Sequence, residues 1–478
     1  MRFRCNLSRK ACMRFSLWLV ILLLACSIKW VFKQFHRVNM DEIALVLQLG
    51  PGGVDGGLMW SFIKKVILRS VFWSVVLAWV CEKWDKKYKF LPWLVTVGVL
   101  GVLGLRIFTA NIQLGSFFAS EKSQFYEQEY VNPENAHISF KKKRDVLLIV
   151  LESVEKKFAD EELFGPGGLT PNITRLENNH ISFQKYEQLS GLSHTIAAIT
   201  GMTTGLPLFF SSYRNVEKML GASGIGNVFV KHGYETWSFF PASGQFSLKE
   251  NFLKRMGFQH VYDGERLRSM LDYELDVDPF DGIDDGTLFT MTRPMIQEII
   301  DGDKPYFILM ETINTHNKGY FTQFCRDLGF EQENMADIAK CQDKILADFI
   351  DWFRKQDPDA VVILIDDHVQ RSGEIWDALK DVESRPLSNV FINTNAFYGV
   401  DINRPVAAVD FFPTIIESAG GQIRGCRLGL GTALTARCAD VQTLRERYGD
   451  AELQRIMEQR NDLYYQLATG IKQNETVD

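Results

Sequence analysis

The sequence lacks the excess of basic residues that nucleic-acid-binding proteins need. Its 478 residues include 53 Lys and Arg against 59 Asp and Glu, a formal net charge of −6, so no nucleic-acid partner is expected. Internal repeats and low-complexity tracts are also missing, and 46% of the residues are hydrophobic, which excludes a disordered chain. The mean hydropathy of −0.08 is too low for a transporter built mostly of membrane helices.

The apolar residues are concentrated first in three segments near the N-terminus. These are Phe15 to Phe32, Val66 to Cys81 and Leu91 to Thr109, each close to the roughly 20 residues with which a helix crosses a bilayer. A cleaved signal peptide is the alternative for the first segment, but no A-x-A-like site follows it and two more apolar segments do. The sequence therefore predicts a membrane anchor of about three helices over residues 1–110.

The basic residues around these segments predict the orientation of the anchor. Residues 1–14 contain five basic side chains and no acidic one, and residues 82–90 contain four lysines. By the positive-inside rule both stretches are cytoplasmic, although the loop 34–65 carries basic residues too. Three spans then place everything after about residue 110 outside the cytoplasm.

The cysteines test this orientation independently. Between Cys81 and Cys325 the chain contains none, and two close pairs follow, Cys325 with Cys341 and Cys426 with Cys438. In a domain outside the cytoplasm such pairs favour two local disulfides, whereas four unpaired buried thiols are the alternative. No CxxC spacing occurs, which argues against a cysteine-based metal site.

The remainder of the chain divides into a connector, a large domain and a tail. Residues 111–144 form a polar connector ending in four basic residues, which lies along the membrane surface or is a solvated linker. From residue 145 apolar runs alternate with helical patterns, which predicts an α/β domain with a mostly parallel sheet over 145–440. A C-terminal helix and tail are expected over 441–478. The strand candidates are 145–151, 234–240, 305–313, 360–366 and 388–393.

Acidic and histidine side chains follow three of these strands. Glu152 follows the first, Asn314-Thr315-His316 the third, and Asp366-Asp367-His368 ends the fourth. Each residue alone has an ordinary structural explanation, such as a turn or a helix cap. Because functional groups collect at the carboxyl ends of parallel strands, we expect these side chains to meet. Two carboxylates and a histidine suit a divalent cation such as Mn²⁺, Mg²⁺ or Zn²⁺.

A hydroxyl group near a predicted helix start is a candidate nucleophile. The run Ile196 to Thr200 predicts the beginning of a helix, with Thr195 in its first turn. There the hydroxyl faces the positive end of the helix dipole and can be activated by a metal ion. The simpler interpretation is that Ser193 or Thr195 only caps the helix.

Four fragments follow one another along the chain: VLLIVLES (146–153), LTPNITRLENNHISF (169–183), GLSHTIAAITGMTTGLPL (191–208) and IDDH (365–368). In this order they resemble the sulfatase-like branch of the alkaline phosphatase superfamily. Within it the chain is most similar to the membrane-anchored phosphoglycerol transferases of periplasmic glucans. It also resembles lipoteichoic acid synthases and, more distantly, lipid A phosphoethanolamine transferases. The resemblance covers about residues 140–440 and implies an α/β/α sandwich.

The resemblance implies a metal site and a nucleophile. Glu152, Asp367 and His368 match the family's metal ligands, and Thr195 matches the threonine that is both ligand and nucleophile. One divalent metal ion is implied, with Mn²⁺ expected first and Mg²⁺ or Zn²⁺ as alternatives.

The resemblance also implies residues that handle the substrate. His316 matches the histidine that contacts the substrate phosphate, where it either protonates a leaving oxygen or only holds the phosphate. Lys249 falls where the family places a basic phosphate-binding residue. His194 is expected to bind the substrate as well. The spacing of Cys325 and Cys341 is similar to that of the periplasmic glucan enzymes.

The sequence departs from the family pattern at several positions. Asp366 stands where Gly or Ser is usual, so it either adds negative charge beside the metal or turns away as a cap. His194 replaces an aromatic residue of the glucan enzymes, and the Trp and Arg that lipoteichoic acid synthases have around Ser247 and Lys249 are missing. No C-x-P-x-R or S-x-P-x-R stretch occurs, so the formylglycine of true sulfatases cannot form, which argues against sulfate ester hydrolysis.

The implied function is metal-dependent transfer of a phosphoglycerol headgroup from phosphatidylglycerol to a periplasmic or cell-surface glycan, through a threonine phosphoester. The implied location is the bacterial inner membrane, with a multi-pass anchor and the catalytic domain on the periplasmic or extracellular side. The main alternative is a phosphoethanolamine transferase that uses phosphatidylethanolamine and modifies lipopolysaccharide or another glycan. A phosphodiesterase and a catalytically silent glycan or lipid receptor are further alternatives.

Overall fold

The chain forms two compact units, Met1–Phe118 and Ala119–Asp478. We call them the N-terminal and the C-terminal unit. The computed structural model describes residues 9–35, 60–85, 95–96, 98–104, 122–209, 221–275, 279–371 and 373–470.

The N-terminal unit is helical in its described residues. Helix α1 covers Arg9–Phe35, and its stretch Cys12–Trp30, with a mean hydropathy of 1.8, is long and apolar enough to cross a membrane. A π-helical turn, Ile63–Leu68, leads into α2, Arg69–Asp85. The first two predicted spans therefore fall on helices. The third lies largely outside the described residues, although 98–104 are helical.

Side chains of α1 and α2 pack on one another and leave apolar faces exposed. Trp18 and Ile21 form a small buried cluster with Cys81. On the opposite faces Val20 and Phe72 are 56% and 61% exposed. An apolar outer surface of this kind suits a lipid environment. The number of spans and their direction stay predictions.

The C-terminal unit is built around a six-stranded sheet in the order β5-β4-β6-β2-β7-β8. All its neighbours are parallel except β8, which runs antiparallel to β7. The α/β prediction with a mostly parallel sheet is confirmed, and all five predicted strands are present. The strands of the unit are β1 Ile138–Phe140, β2 Val146–Leu151, β3 Lys185–Tyr186, β4 Glu235–Phe239, β5 His260–Tyr262, β6 Tyr306–Glu311, β7 Val361–Asp366, β8 Asn389–Ile392, β9 Pro405–Val406, β10 Gly421–Ile423, β11 Arg427–Leu428 and β12 Gly431–Thr432.

Helices surround this sheet. The longest, Met335–Gln356, has alternating buried and exposed positions at helical spacing and covers the apolar core. The α-helices of the unit, in its described residues, are α3 Phe125–Glu129, α4 Glu161–Phe164, α5 Pro171–Asn179, α6 Thr195–Thr204, α7 Ile225–Lys231, α8 Lys249–Arg255, α9 Gly264–Arg268, α10 Asp285–Ile300, α11 Gln323–Asp327, α12 Met335–Gln356, α13 Gly373–Leu379, α14 Ala408–Ser418, α15 Leu444–Tyr448, α16 Asp450–Met457 and α17 Asp462–Thr469.

The register of the three central strands brings their carboxyl ends side by side. Every residue of β2, β6 and β7 is buried, as expected for strands covered on both faces. Val150 of β2 lies opposite Glu311 of β6, and Leu151 lies opposite Asp366 of β7. The residues that follow these strands therefore meet at one edge of the sheet.

Part of the predicted connector packs within the C-terminal unit. Tyr126 is buried, and its hydroxyl donates a hydrogen bond to the carbonyl oxygen of Met457 at 3.1 Å. Glu129 accepts hydrogen bonds from both Arg427 and Arg447. Strand β1 pairs with β10 in an antiparallel ladder. From residue 122 onward the connector sequence thus contributes to the packing of this unit.

Both predicted disulfides are present. Cys325 of α11 is bonded to Cys341 of α12, and Cys426 is bonded to Cys438. The pairs are 16 and 12 residues apart in sequence, so each closes a short loop. Disulfides persist in oxidising compartments, which agrees with the expected position outside the cytoplasm.

Removing the second disulfide is expected to destabilise the C-terminal unit. Closing a loop of this length restricts the unfolded chain, so Cys426→Ser with Cys438→Ser should lower the free energy of unfolding by about 3 kcal/mol. Denaturant unfolding of the wild type and the double variant measures the difference. Cys12→Ser is the control, because Cys12 has no disulfide partner. A loss no greater than that of the control would contradict the prediction.

Candidate active site

The first part of the site is the turn that follows β2. The backbone of Glu152 is fixed on both sides, because its N–H donates to the Thr312 hydroxyl at 2.9 Å and its carbonyl accepts from the Thr315 hydroxyl at 2.5 Å. Ser153 then adopts a left-handed conformation with φ of 54°. Non-glycine residues in this region are strained, and such strain concentrates at functional sites. The Glu152 carboxylate is thereby held, buried, at the edge of the sheet.

The second part of the site is the loop that follows β7. Oδ1 of Asp367 accepts hydrogen bonds from the backbone N–H groups of Ser153 at 2.9 Å and His368 at 2.7 Å. Nδ1 of His368 lies 3.1 Å from the carbonyl oxygen of Val369, which can only accept. Nδ1 is therefore the donor, which leaves Nε2 as the ring nitrogen that can bind a cation.

The third part of the site is the first residue of α6. The hydroxyl of Thr195 lies 3.2 Å from Oε2 of Glu152 and 3.5 Å from Nε2 of His368. The side chain of His194, at the N-cap position, makes no capping hydrogen bond, so α6 begins without a side-chain cap. The simpler interpretation of Thr195 as a cap is thus not what the contacts show: its hydroxyl faces the acidic cluster.

These residues fit a divalent cation. The ligand atoms of Glu152, Asp367 and His368 lie within 4.8 Å of one another, and all three side chains are buried. Oδ2 of Asp367 is buried and has no hydrogen-bond partner among the described residues, while it lies 3.4 Å from Nε2 of His368. A buried carboxylate oxygen without a donor is costly, and a cation between these atoms would compensate it. Carboxylate and imidazole ligands suit Mn²⁺, Zn²⁺ or Mg²⁺.

The raised pKa of Glu152 also favours a bound cation in the site. Burial and the neighbouring Asp367 carboxylate raise the pKa of Glu152 to about 7. A bound cation would favour the ionised carboxylate, so cation binding below pH 7 displaces a proton from Glu152. A second group of possible ligands, Glu417 with Cys426 and Cys438, does not fit a metal because both sulfurs form a disulfide.

The structure decides between the two interpretations of Asp366. Its Oδ1 accepts a hydrogen bond from the backbone N–H of Val154 at 2.6 Å, so the side chain caps the turn after β2. Burial, and then the Asp367 carboxylate, raise the pKa of Asp366 well above its ordinary value. Burial therefore favours the neutral form of Asp366, and its side chain acts as a cap beside the candidate metal ligands.

Lys249 is not presented to the site as an isolated cation. Its ammonium group forms a buried ion pair with Glu311, the last residue of β6. The pair is close to the metal ligands, since the charge of Lys249 lowers the pKa of Glu152. Its charge is largely offset by Glu311, a partner that the sequence pattern did not reveal.

Burial favours the neutral form of His316 and His194, the two histidines that the sequence assigns to the substrate. Burial lowers the pKa of His316, and its Nδ1 lies 3.0 Å from the carbonyl oxygen of Asn317. Nδ1 is therefore the donor, and Nε2 is the nitrogen that can accept a proton. Burial also holds the pKa of His194 well below its ordinary value. Neither histidine binds a phosphate through a positive charge.

Ser153 is a site residue that sequence reasoning missed. Its hydroxyl donates to Oε1 of Glu152 at 2.7 Å and lies 3.2 Å from Nδ1 of His368. Its backbone N–H also donates to Asp367, so Ser153 contacts all three candidate metal ligands. In the sequence, the only indication of this role is that Ser153 directly follows Glu152. The hydroxyl orients the ligands in the way that supporting residues do in metal sites.

Removing this hydroxyl is expected to weaken metal binding. Ser153→Ala should lower the affinity for Mn²⁺ by about 10- to 100-fold, because Glu152 loses a donor that fixes its orientation. Metal titration followed by calorimetry measures the effect. Ser418→Ala is a matched control, since Ser418 is buried in α14 and donates only to Thr414. Equal affinities for the Ser153 variant and the wild type would contradict the role.

A sequence model of the sulfatase family matches residues 144–421, which is well over half of the chain. The chain belongs to the sulfatase family. The matched residues include the turn after β2, the start of α6 and the loop after β7. The superfamily depends on metal ions, and this agrees with the cluster of Glu152, Asp367 and His368.

Curated relatives carry a more specific name. Proteins named phosphoglycerol transferase I from two strains of Escherichia coli, O6:K15:H31 and O127:H6, are each 25% identical over 268 residues. These matches cover 52% of the chain but only 33% of the relatives. The chain thus matches about a third of the length of these proteins.

Two solved structures share the fold. One is a protein in the alkaline phosphatase superfamily from Vibrio parahaemolyticus, with a TM-score of 0.51 and 19% identity over 64% of the chain and 74% of that protein. The other is the integral membrane lipooligosaccharide phosphoethanolamine transferase A from Neisseria meningitidis, with a TM-score of 0.50 and 11% identity. The latter match covers 89% of the chain and 87% of that protein. They establish an alkaline phosphatase-like fold.

Proposed function

We propose that the chain is a metal-dependent phosphotransferase that moves the phosphoglycerol headgroup of phosphatidylglycerol onto a glycan. The observation that carries this proposal is the position of the Thr195 hydroxyl. It lies at the N-terminus of α6, within 3.5 Å of both Glu152 and His368, which with Asp367 form the metal-ligating cluster. The name of the curated relatives supports phosphoglycerol as the transferred group.

In the first step, the Thr195 oxygen attacks the phosphorus atom of the lipid headgroup. The bond between phosphorus and the diacylglycerol oxygen breaks, and a phosphoglycerol ester of Thr195 forms. A bound divalent cation supplies charge compensation and lowers the pKa of a hydroxyl that it contacts. The chain contributes the acceptor for the threonine proton, Oε2 of Glu152 at 3.2 Å. Diacylglycerol leaves with its oxygen protonated, so the proton lost by Thr195 balances the reaction.

In the second step, a glycan hydroxyl attacks the same phosphorus atom and the bond to Thr195 breaks. Nε2 of His316 is the unprotonated nitrogen of a neutral ring, so it is suited to take the proton of the incoming hydroxyl. His316 gives up this proton as the Thr195 oxygen takes one up, so both residues return to their starting states. Water in place of the glycan would give a phosphodiesterase.

The proposed location is a bacterial plasma membrane, with the catalytic domain outside the cytoplasm. The apolar stretch of α1 and the two disulfides support it. In this arrangement residues 1–110 anchor the chain, and the catalytic unit includes the packed part of the connector from residue 122 onward and the helices α15 to α17. A tethered domain stays near lipid headgroups, which raises its effective concentration at the donor.

Lipid turnover tests the proposed donor. Purified full-length protein, loaded with Mn²⁺, Mg²⁺ or Zn²⁺, is incubated in detergent with fluorescent phosphatidylglycerol or phosphatidylethanolamine, and labelled diacylglycerol is measured. Release from phosphatidylglycerol in a metal-dependent reaction is the expected result. Release from phosphatidylethanolamine alone would show that phosphatidylethanolamine, and not phosphatidylglycerol, is the donor. No release from either, with folded and metal-loaded protein, would overturn the lipid-donor proposal.

A further inference from the structure

A hydrogen bond between Arg371 and His194 joins the loop after β7 to the start of α6. Arg371 lies three residues after His368, on the loop that follows β7, and His194 directly precedes Thr195. Nη1 of Arg371 lies 2.7 Å from Nδ1 of His194. The guanidinium group is thereby held at the start of α6, beside the residue that attacks the phosphate.

The direction of this hydrogen bond fixes the tautomer and the charge of the His194 ring. A guanidinium group has only donors, so Nδ1 of His194 must accept, and the ring is neutral with its proton on Nε2. The lowered pKa of His194 agrees, since burial and then the charge of Arg371 disfavour its protonation. His194 thus acts as an acceptor for Arg371 and carries no positive charge of its own.

The loop that carries Arg371 is fixed by buried groups. The backbone N–H of Gln370 donates to Glu155 at 2.9 Å, and its side-chain amide donates to the carbonyl oxygen of Thr315 at 2.7 Å. Glu155 is itself paired with Arg385, which also donates to the carbonyl oxygen of Gln370. The residue before Arg371 is therefore held on two sides, so Arg371 starts from a preorganised backbone.

The charges of the site call for a cation near Thr195. A phosphodiester brings negative charge to a place where Glu152 and Asp367 already contribute carboxylates. Lys249 is offset by its ion pair with Glu311. The charge of Arg371 acts on His194, which directly precedes Thr195, and on His316. The planar guanidinium group of Arg371 can donate hydrogen bonds to two phosphate oxygens at once.

We propose that Arg371 binds the substrate phosphate and that His194 positions its guanidinium group. The inference rests on phosphoryl transfer through Thr195 as proposed above, and it assigns the basic phosphate-binding role to Arg371 in place of Lys249. It also gives a physical reason for a histidine at position 194, since an aromatic hydrocarbon ring there would offer Nη1 no acceptor.

Phosphate affinity tests this assignment separately from lipid turnover. Binding of inorganic phosphate to Mn²⁺-loaded full-length protein is measured by calorimetry, with metal content determined for each variant. Arg371→Ala is expected to weaken phosphate binding by about 10- to 100-fold, the size of a charge-assisted pair of hydrogen bonds. Arg371→Lys should recover part of the lost phosphate affinity, since lysine restores the positive charge without the planar guanidinium group. His194→Leu should weaken binding by a smaller factor.

The control removes a guanidinium group elsewhere. Arg455→Ala on the exposed face of α16, where Arg455 pairs with Glu452, should leave phosphate affinity unchanged. Wild-type phosphate affinity in Arg371→Ala would overturn the proposal. If the alanine variant does not load metal, Arg371→Gln decides, because it keeps a polar side chain without the charge. Phosphate binding that depends on Arg371 in a protein without lipid turnover would leave this inference standing and overturn the proposed donor.

Discussion

Replacing Thr195 by alanine is expected to abolish headgroup transfer, with kcat falling by about 10³-fold or more. The reason is that both proposed steps pass through the threonine oxygen, and a methyl group offers no nucleophile. Release of labelled diacylglycerol from phosphatidylglycerol measures the first step directly. The rest of the cluster, Glu152, Asp367 and His368, stays intact, so the variant should still bind metal.

Thr195→Ser is the matched control for this variant, because it keeps the hydroxyl group that faces Glu152 and loses only a methyl group. We expect the serine variant to keep turnover within about 100-fold of the wild type. Circular dichroism and metal analysis of both variants show whether they are folded and loaded. Alanine and serine variants of equal activity would contradict the role of the Thr195 oxygen.

Replacing Asp367 by asparagine is expected to change metal affinity and metal-free stability in opposite directions. The amide oxygen can keep the hydrogen bonds from Ser153 and His368, which now end on Oδ1. The amide nitrogen replaces the buried oxygen that has no hydrogen-bond partner among the described residues. The pKa of Glu152 is raised by burial and then by repulsion from the Asp367 carboxylate, and loss of this charge relieves that repulsion. The variant should bind Mn²⁺ at least about 100-fold more weakly, yet its metal-free form should melt at a higher temperature.

Thermal unfolding with chelator and with excess Mn²⁺ measures both effects. The wild type should gain stability from the metal by about 2.7 kcal/mol at a hundredfold excess over Kd, and the variant should gain almost none. Asp410→Asn is the control, since both oxygens of this buried carboxylate accept backbone hydrogen bonds outside the cluster. It should lose stability equally with and without metal. If the Asp367 variant melts at a lower temperature than the wild type without metal, repulsion between the Asp367 and Glu152 carboxylates does not destabilise the metal-free site, and the prediction is contradicted.

The sheet and the metal-ligating residues follow from local patterns in the sequence. Runs such as 146–151 and 361–366 are continuously apolar, which is typical of strands covered on both faces. Parallel neighbours end at the same edge, so Glu152 and Asp367 could be placed together without knowledge of any contact. The two disulfides could be predicted because each pair is close in sequence.

Contacts between distant parts of the chain could not be predicted in this way. Arg371 and His194 are 177 residues apart, and no pattern at either position indicates the other. The ion pair of Lys249 with Glu311 joins the first residue of α8 to the last residue of β6, 62 residues further along the chain, and no local pattern indicates it. Strand β5 was missed because it has only three residues, too few for a periodic signal.

Trapping the intermediate on Thr195 tests the central claim most directly. The metal-loaded protein is mixed with phosphatidylglycerol in the absence of a glycan acceptor and quenched with acid within the first turnover. The peptide that contains Thr195 is then examined by mass spectrometry, beside the Thr195→Ala variant. A phosphoglycerol group on Thr195 that appears with diacylglycerol release is the predicted result. Diacylglycerol release with Thr195 unmodified, or with the adduct on another residue, would contradict the account.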